Sequence, residues 1–252
     1  MQELKEAPHQ NRVFVDSMPE FAAPSAGLVD FSEIDAILIG SYNTMLALPF
    51  ITEDEKSGFK GMIFVTEPTL HFGRLFMEET IEYLERSSKT ISAARWKDIA
   101  KSLPPPLCDA ETPHAWRSIY SREKVESCLA KTTLVGYSEK KDVFGLLRVS
   151  PVSSGHCIGS SNWIIGSDFE RVAYMSATSS LTTHPTSLDS SALKNMNCII
   201  LSNLTQTPLN VPDSMIADFC KTVVDTTRNG GNVLVPCYPS GKISSLIMNF
   251  GL

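Results

Sequence analysis

The chain has 252 residues, 42% apolar and 20% charged, which is enough apolar material to bury a sizeable core and too much for a disordered chain. Its net charge of −6 argues against a protein that grips RNA by itself, because phosphate contacts need clustered Lys and Arg. No apolar stretch is long enough to span a bilayer and residues 1–6 carry no signal-peptide pattern, so the sequence reads as soluble and intracellular.

In chain order, short and often β-branched apolar runs at 36–39 and 62–65 predict buried strands. After Pro68 and Thr69 a helix is predicted over 70–85, with Phe72, Leu75, Phe76 and Tyr83 on its apolar side and Glu78, Glu82 and Glu85 on the other. The run Leu103-Pro104-Pro105-Pro106-Leu107 can continue neither a helix nor a central strand, since its prolines lack backbone donors. We read residues 88–115 as a surface insertion, flanked by short helices near 93–101 and 121–130. Lys140-Lys141, set between Glu139 and Asp142, reads as a solvated turn.

Further buried strands are predicted at 134–135, 172–175, 198–201 and 233–235, with others over the alternation 144–149 and at 163–165. A second helix starts at Pro212, aligns Met215, Ile216, Phe219, Cys220 and Val223, and stops at Asn229-Gly230-Gly231. Strands alternating with helices give an α/β layered fold. The six cysteines (Cys108, Cys128, Cys157, Cys198, Cys220 and Cys237) are widely spaced and form no zinc-finger pattern. Several sit in apolar runs, which suits reduced, buried thiols of the cytosol or nucleus.

The loop Ser41-Tyr42-Asn43-Thr44-Met45-Leu46-Ala47-Leu48-Pro49 follows the first apolar strand and offers hydroxyls, one amide and a thioether. A water-activating divalent metal needs three or more imidazole, thiolate or carboxylate ligands on one point. Apolar strand, short polar loop, Ala47-Leu48-Pro49, strand 62–65 and Thr66-Glu67-Pro68-Thr69 together resemble the metallo-β-lactamase/β-CASP RNA nucleases. The resemblance implies a His-x-His-x-Asp-His cluster at this loop. Ser41 stands at its first His and Asn43 at its second. The loop then reaches Ala-Leu-Pro early, leaving the Asp and third His without counterparts. Gly155-His156-Cys157-Ile158-Gly159 matches the family's Gly-His-x-x-Gly, and Ser176-Ala177 stands where the family has Gly-Asp. Of that ligand set, His156 is the one type retained.

Longer runs at 14–21, 73–79, 159–165, 181–185 and 228–241 resemble the subunit 9 family of the Integrator complex. This resemblance implies a catalytically degenerate β-CASP protein with no catalytic residue, metal or cofactor of its own. It implies a nuclear scaffold that pairs with the active nuclease, subunit 11, in 3′-end cleavage of small nuclear RNA and attenuation of nascent transcripts, and that meets RNA only through the complex. Residues 1–204 are then expected to form a partial metallo-β-lactamase-like domain and 205–252 the start of a β-CASP domain. The family's two strands and early Asp before residue 14 are expected to be missing from the polar opening segment 1–12. The chain is expected to be truncated at both ends, as a fragment, a short isoform or a truncated gene model, and to be of marginal stability alone.

Each candidate residue also has a plainer reading. His156 reads as a loop histidine packed under a former site, since one imidazole cannot hold zinc. Cys157 beside it could be a nucleophile, but no acid follows to orient the imidazole. His184-Pro185 and Asp189 read as a turn, and Gly230-Gly231 and Gly241 as helix-ending and turn glycines whose spacing is not a Walker sequence. The competing functional classes are a divergent metal-dependent hydrolase with ligands from unusual positions and a short product without stable function.

Overall fold

A computed structural model describes residues 3–6, 13–16, 25, 27–86, 119–181, 186–204 and 212–236. The chain divides into two compact units, the first from 1–33, 47–59 and 74–130 and the second from 34–46, 60–73 and 131–252. The opening segment, expected to hold no strand, contains β1 (Glu3–Glu6), which pairs antiparallel with β2 (Val13–Asp16). The alternation Leu4 and Glu6 against Val13 and Val15 is short, yet the ladder needs only backbone donors and acceptors opposite each other.

The second unit carries the two larger sheets. Strands β3 (Ala36–Leu38), β4 (Met62–Val65) and β5 (Thr132–Leu134) form a parallel sheet in that order. Its central strand is buried from Ile63 to Val65, as a parallel strand with neighbours on both edges should be. The larger sheet comprises β6 (Lys141–Val143), β7 (Leu147–Ser153), β8 (Ser161–Gly166), β9 (Arg171–Thr178) and β10 (Cys198–Leu204), in the order β10-β9-β8-β7-β6. Its pairs are antiparallel except β9 with β10.

Because side chains alternate along a strand, the larger sheet has two distinct faces. Val149, Trp163 and Ile165 face one way and join Phe64, Val135, Val143, Ala36 and Leu38 in a core shared by the two sheets. Val152, Ile164 and Ala173 face the other way and are covered by Ala192, Leu193 and Met196. Trp163 is fully buried, and its indole Nε1 donates to the Ile39 carbonyl at 3.0 Å, so its one polar atom is satisfied inside the core.

The helices are α1 (Tyr42–Met45), α2 (Pro49–Thr52), α3 (Glu67–Arg86), α4 (Arg122–Ala130) and α5 (Pro212–Arg228). The first two interrupt what reads in sequence as a loop. On α3 the buried stripe is Thr69, Gly73, Met77 and Ile81, whereas Leu75 and Tyr83, expected inside, are exposed. Leu75 and Tyr83 lie on the side of the helix away from that stripe, so the face read from sequence is turned about a third of the way around the helix from the buried one. In the first unit, Phe50 of α2 meets Tyr120 edge-on at 5.6 Å, just ahead of α4, whose Val125, Cys128 and Leu129 are buried. Arg74–Glu126 and Arg122–Glu82, each 3.1 Å, link α3 to α4 on a surface exposed enough that either contributes little.

Several strand expectations are corrected. The run 198–201, expected to be buried, is β10, whose Ile199, Ile200 and Leu201 are about half exposed. It is the last strand of its sheet, so no neighbour among the described residues covers it. For the same reason Cys198 is exposed; Cys220, on α5, is half-buried, and Cys128 and Cys157 are buried and outside any disulfide among the described residues, as expected. Residues 233–235 form no strand, and Leu234 is 91% exposed: an apolar run becomes a strand only beside a partner. The alternation 144–149 begins in a turn, because Phe144 and Gly145 both take positive φ and reverse the chain before Leu147. The proline run, the helix near 93–101, Cys108, Cys237, His184-Pro185 and Gly241 lie outside the described residues.

Trp163→Ala is expected to lower unfolding free energy by about 3–5 kcal/mol, combining a cavity with loss of the indole bond to the Ile39 carbonyl, which keeps only the Ser161 hydroxyl at 3.5 Å. Trp163→Phe should retain most of the packing and lose about 1 kcal/mol for the missing indole donor. Urea denaturation at equilibrium separates the two.

Candidate functional site

The C-terminal end of β3 leads through buried Ile39 and Gly40 to Ser41, which is buried and extended (φ −158°, ψ 162°) at the N-terminus of α1. The Ser41 carbonyl accepts from the Met45 N–H at 3.3 Å and the Thr44 hydroxyl at 2.8 Å, which fixes the entry to the helix. Asn43, one turn position on, is exposed. At the equivalent sequence positions the two residues therefore differ in surroundings, one enclosed and one at the rim.

Gly40 lies against β8 and β9. Its carbonyl accepts from the Ser161 N–H at 2.8 Å, and a Cβ at this position would come within 2.7 Å of the Ser176 Cβ and 2.9 Å of its Oγ. Only glycine allows this approach. Ser176 in turn donates its hydroxyl to the Ser161 carbonyl at 2.7 Å. The structure thus brings the β3 end, Ser161 and Ser176-Ala177 together, with Ala177 half-buried on β9.

His156 occupies the bend between β7 and β8 and is half-buried, its backbone N–H 3.4 Å from the Ser154 hydroxyl. Serines hold this loop at both shoulders. Ser154 and Ser160 join hydroxyl to hydroxyl, and the Ser154 N–H donates to the Ser160 carbonyl at 3.2 Å. Gly159 has φ +83° and sits so close to the start of α3 that a Cβ would meet the Thr69 N at 2.6 Å. The Thr66 hydroxyl donates to the Gly159 carbonyl at 2.6 Å and lies 3.0 Å from the Thr69 hydroxyl.

Asn162, absent from the sequence reading, is the hub on β8. Fully buried, it accepts through Oδ1 from the Ser176 N–H at 3.0 Å and the Thr178 hydroxyl at 2.8 Å. Its buried Nδ2 has no acceptor, a donor whose desolvation costs about 1–3 kcal/mol. The sequence signal for this network was the pair of serine doublets, Ser153-Ser154 and Ser160-Ser161, that bracket the Gly-His loop.

Tyr137 donates to the Ser160 carbonyl at 3.0 Å. Burial, and after it the neighbouring Cys157 thiol, push its hydroxyl up to about 12, so it stays protonated at neutral pH and is no base. Asp189 is held below the usual carboxylate range chiefly by the Ser191 hydroxyl, and its Oδ1 also accepts from the Ser191 and Ala192 N–H groups. It caps a turn.

The donors gathered at the end of β3 are neutral hydroxyls, backbone carbonyls and one amide. Among the described residues no three His, Cys, Asp or Glu side chains converge. Such a set does not fit a catalytic zinc, which takes imidazole, thiolate or carboxylate ligands.

With this geometry, the sequence matches the metallo-beta-lactamase superfamily domain over residues 14–216. The chain belongs to the metallo-β-lactamase superfamily. Its α/β fold is that of the superfamily. Among known relatives it is 51% identical to Integrator complex subunit 9 of Bos taurus and of Homo sapiens over 247 residues, 97% of this chain and 37% of each relative. It is 46% identical over 245 residues to the Integrator complex subunit 9 homolog of Nematostella vectensis, 96% of this chain and 36% of that one. The chain therefore spans little more than a third of the length of these relatives.

Gly40→Ala is expected to lose about 1–3 kcal/mol through the clash with Ser176, and Ser176→Gly in the same chain to recover most of it. A double-mutant cycle by chemical denaturation tests the contact. The raised Tyr137 value predicts a stabilising contribution present below pH 10 and lost as pH rises toward 12, because the unfolded tyrosine ionises first. Thermal midpoints of the wild type and Tyr137→Phe should converge across that interval.

Proposed function

We propose that this chain acts as a non-catalytic scaffold subunit of the Integrator complex, joining the nuclease subunit 11 in 3′-end processing of small nuclear RNA. The observation that carries the proposal is the chemistry at the end of β3: the family's ligand positions Ser41, Asn43 and Ala177 carry a hydroxyl, an amide and a methyl group, and Ser161, Asn162, Ser176 and Thr178 beside them are tied to one another by neutral hydrogen bonds. Relatives bearing the subunit 9 name at about half identity across nearly the whole chain support the assembly.

In this reading Ser41, Asn43, His156 and Ala177 are degenerate family positions and the protein is a pseudoenzyme. Work passes from pocket to surface: partners are protein subunits, RNA is met through the complex, and the location is the nucleus. We place the domain boundary near Leu204, where β10 ends, with a partial metallo-β-lactamase domain over 1–204 and the start of a β-CASP domain over 205–252.

Purified chain is expected to contain far less than one equivalent of zinc or manganese by mass spectrometry, and Asn43→His is expected to leave it unable to cleave a model RNA. Affinity purification of the tagged chain from its own cells should recover the nuclease subunit. Stoichiometric metal together with RNA cleavage by the wild type would establish the divergent hydrolase instead.

A further inference from the structure

We infer that the end of the larger sheet opposite the pocket is a docking surface for a protein segment in which apolar side chains alternate with carboxylates. The register pairs Val143↔Leu147, Arg148↔Gly166 and Gly166↔Arg171 set the turns 144–146 and 167–170 side by side. Arg148 Nη2 donates to Asp168 Oδ1 at 2.8 Å and ties one turn to the other. The far ends of the same strands, at Ser153, Ser161 and Thr178, belong to the pocket, so the two surfaces are separate.

The two turns display large apolar side chains to solvent: Phe144 is 58% exposed, Leu146 78% and Phe169 91%. One such residue is ordinary, but three on adjoining turns make a patch. Phe144 is also in the wrong place for the turn. It has φ 53°, followed by Gly145 at 71°, and the Leu146 N–H donates to the Val143 carbonyl at 3.1 Å. Two successive positive φ values suit Asn, Asp or Gly, and a bulky aromatic there is strained. Strain retained at a solvent-facing ring points to a role outside the fold.

Beside the patch runs a groove of about 320 Å³ lined by Lys140, Arg148 and Arg171 over Ser150, Ile164 and Gly166, with no carboxylate in its wall. The Arg171 backbone is fixed by Asn197, whose Oδ1 accepts from its N–H and whose N–H donates to its carbonyl, both at 2.9 Å. Of the acids on these turns, Asp168 pairs with Arg148, which leaves Lys140 and Arg171 as the groove's cations; Asp142 accepts from the Gly145 N–H at 2.7 Å, and Glu170 lies in the turn beside Phe169. Cations beside an apolar patch complement a segment carrying both Leu or aromatic anchors and Asp or Glu. Leu146, which offers bases no stacking face, favours such a segment over single-stranded nucleic acid. This surface goes beyond the scaffold reading and does not depend on the pocket being inert.

The test replaces Phe169 with the photo-cross-linker p-benzoylphenylalanine in the full chain, in the cells that make it, and maps the adduct by mass spectrometry. The expected adduct lies on a protein segment with interleaved acidic and apolar residues. Its yield should fall about tenfold on Lys140→Glu with Arg171→Glu, and similarly on Phe144→Asn, which suits the turn and should leave the thermal midpoint unchanged or raised. An adduct on RNA, an adduct on a segment without carboxylates, no adduct, or one indifferent to charge reversal would overturn the proposal.

Discussion

Two carbonyls at the end of β3, those of Ile39 and Gly40, receive hydrogen bonds from the Trp163 indole and the Ser161 N–H of β8. These bonds join the parallel sheet to the larger one at the point where the chain turns into the pocket. They also require glycine at 40, because Ser176 fills the space a side chain would take. Core, sheet junction and pocket floor are therefore one construction. The buried indole anchors its apolar side and the serine network its polar side.

That construction also fixes the loops around the end of β3. Metal ligands ordinarily draw separate loops to one centre. Here short hydrogen bonds do so: Thr66 to the Gly159 carbonyl, Ser154 to Ser160, and Ser176 and Thr178 to Asn162. Each neutral bond contributes little by itself, but in a buried cluster an unpaired member is expensive, so the network resists piecemeal change. The loops keep their places without a charged ligand set.

The sequence was legible where a local rule governs. Helix α5 begins at Pro212 and ends before Gly230, which has φ 79°, because proline fits a first helical turn and glycine a left-handed cap. The strands 62–65 and 163–165 were visible as apolar runs that proved to be interior strands of their sheets. The same rule failed at 198–201 and 233–235, where equally apolar runs are exposed, since no periodicity says whether a strand has a neighbour on each edge. Leu75 and Tyr83 of α3 were misplaced because helical spacing gives the width of a face, while tertiary contact decides its centre. At the site, Ser41, Asn43 and Ala177 were singled out in sequence by the family resemblance alone. Asn162 was not, because its role depends on Ser176 and Thr178 lying one strand away.

What the sequence determined by itself was composition and element type, both properties carried within a few residues of chain. Tertiary structure decided which apolar strips are covered, that serines from three strands and two loops close the pocket, and that two turns far from it share a strained aromatic and a cationic groove. Those facts depend on strand register and order, which bring together residues as far apart as Gly40 and Ser176 and join Ile39 to Trp163 by a hydrogen bond across 124 positions. Register is set by the summed packing of whole faces, and no local stretch encodes it.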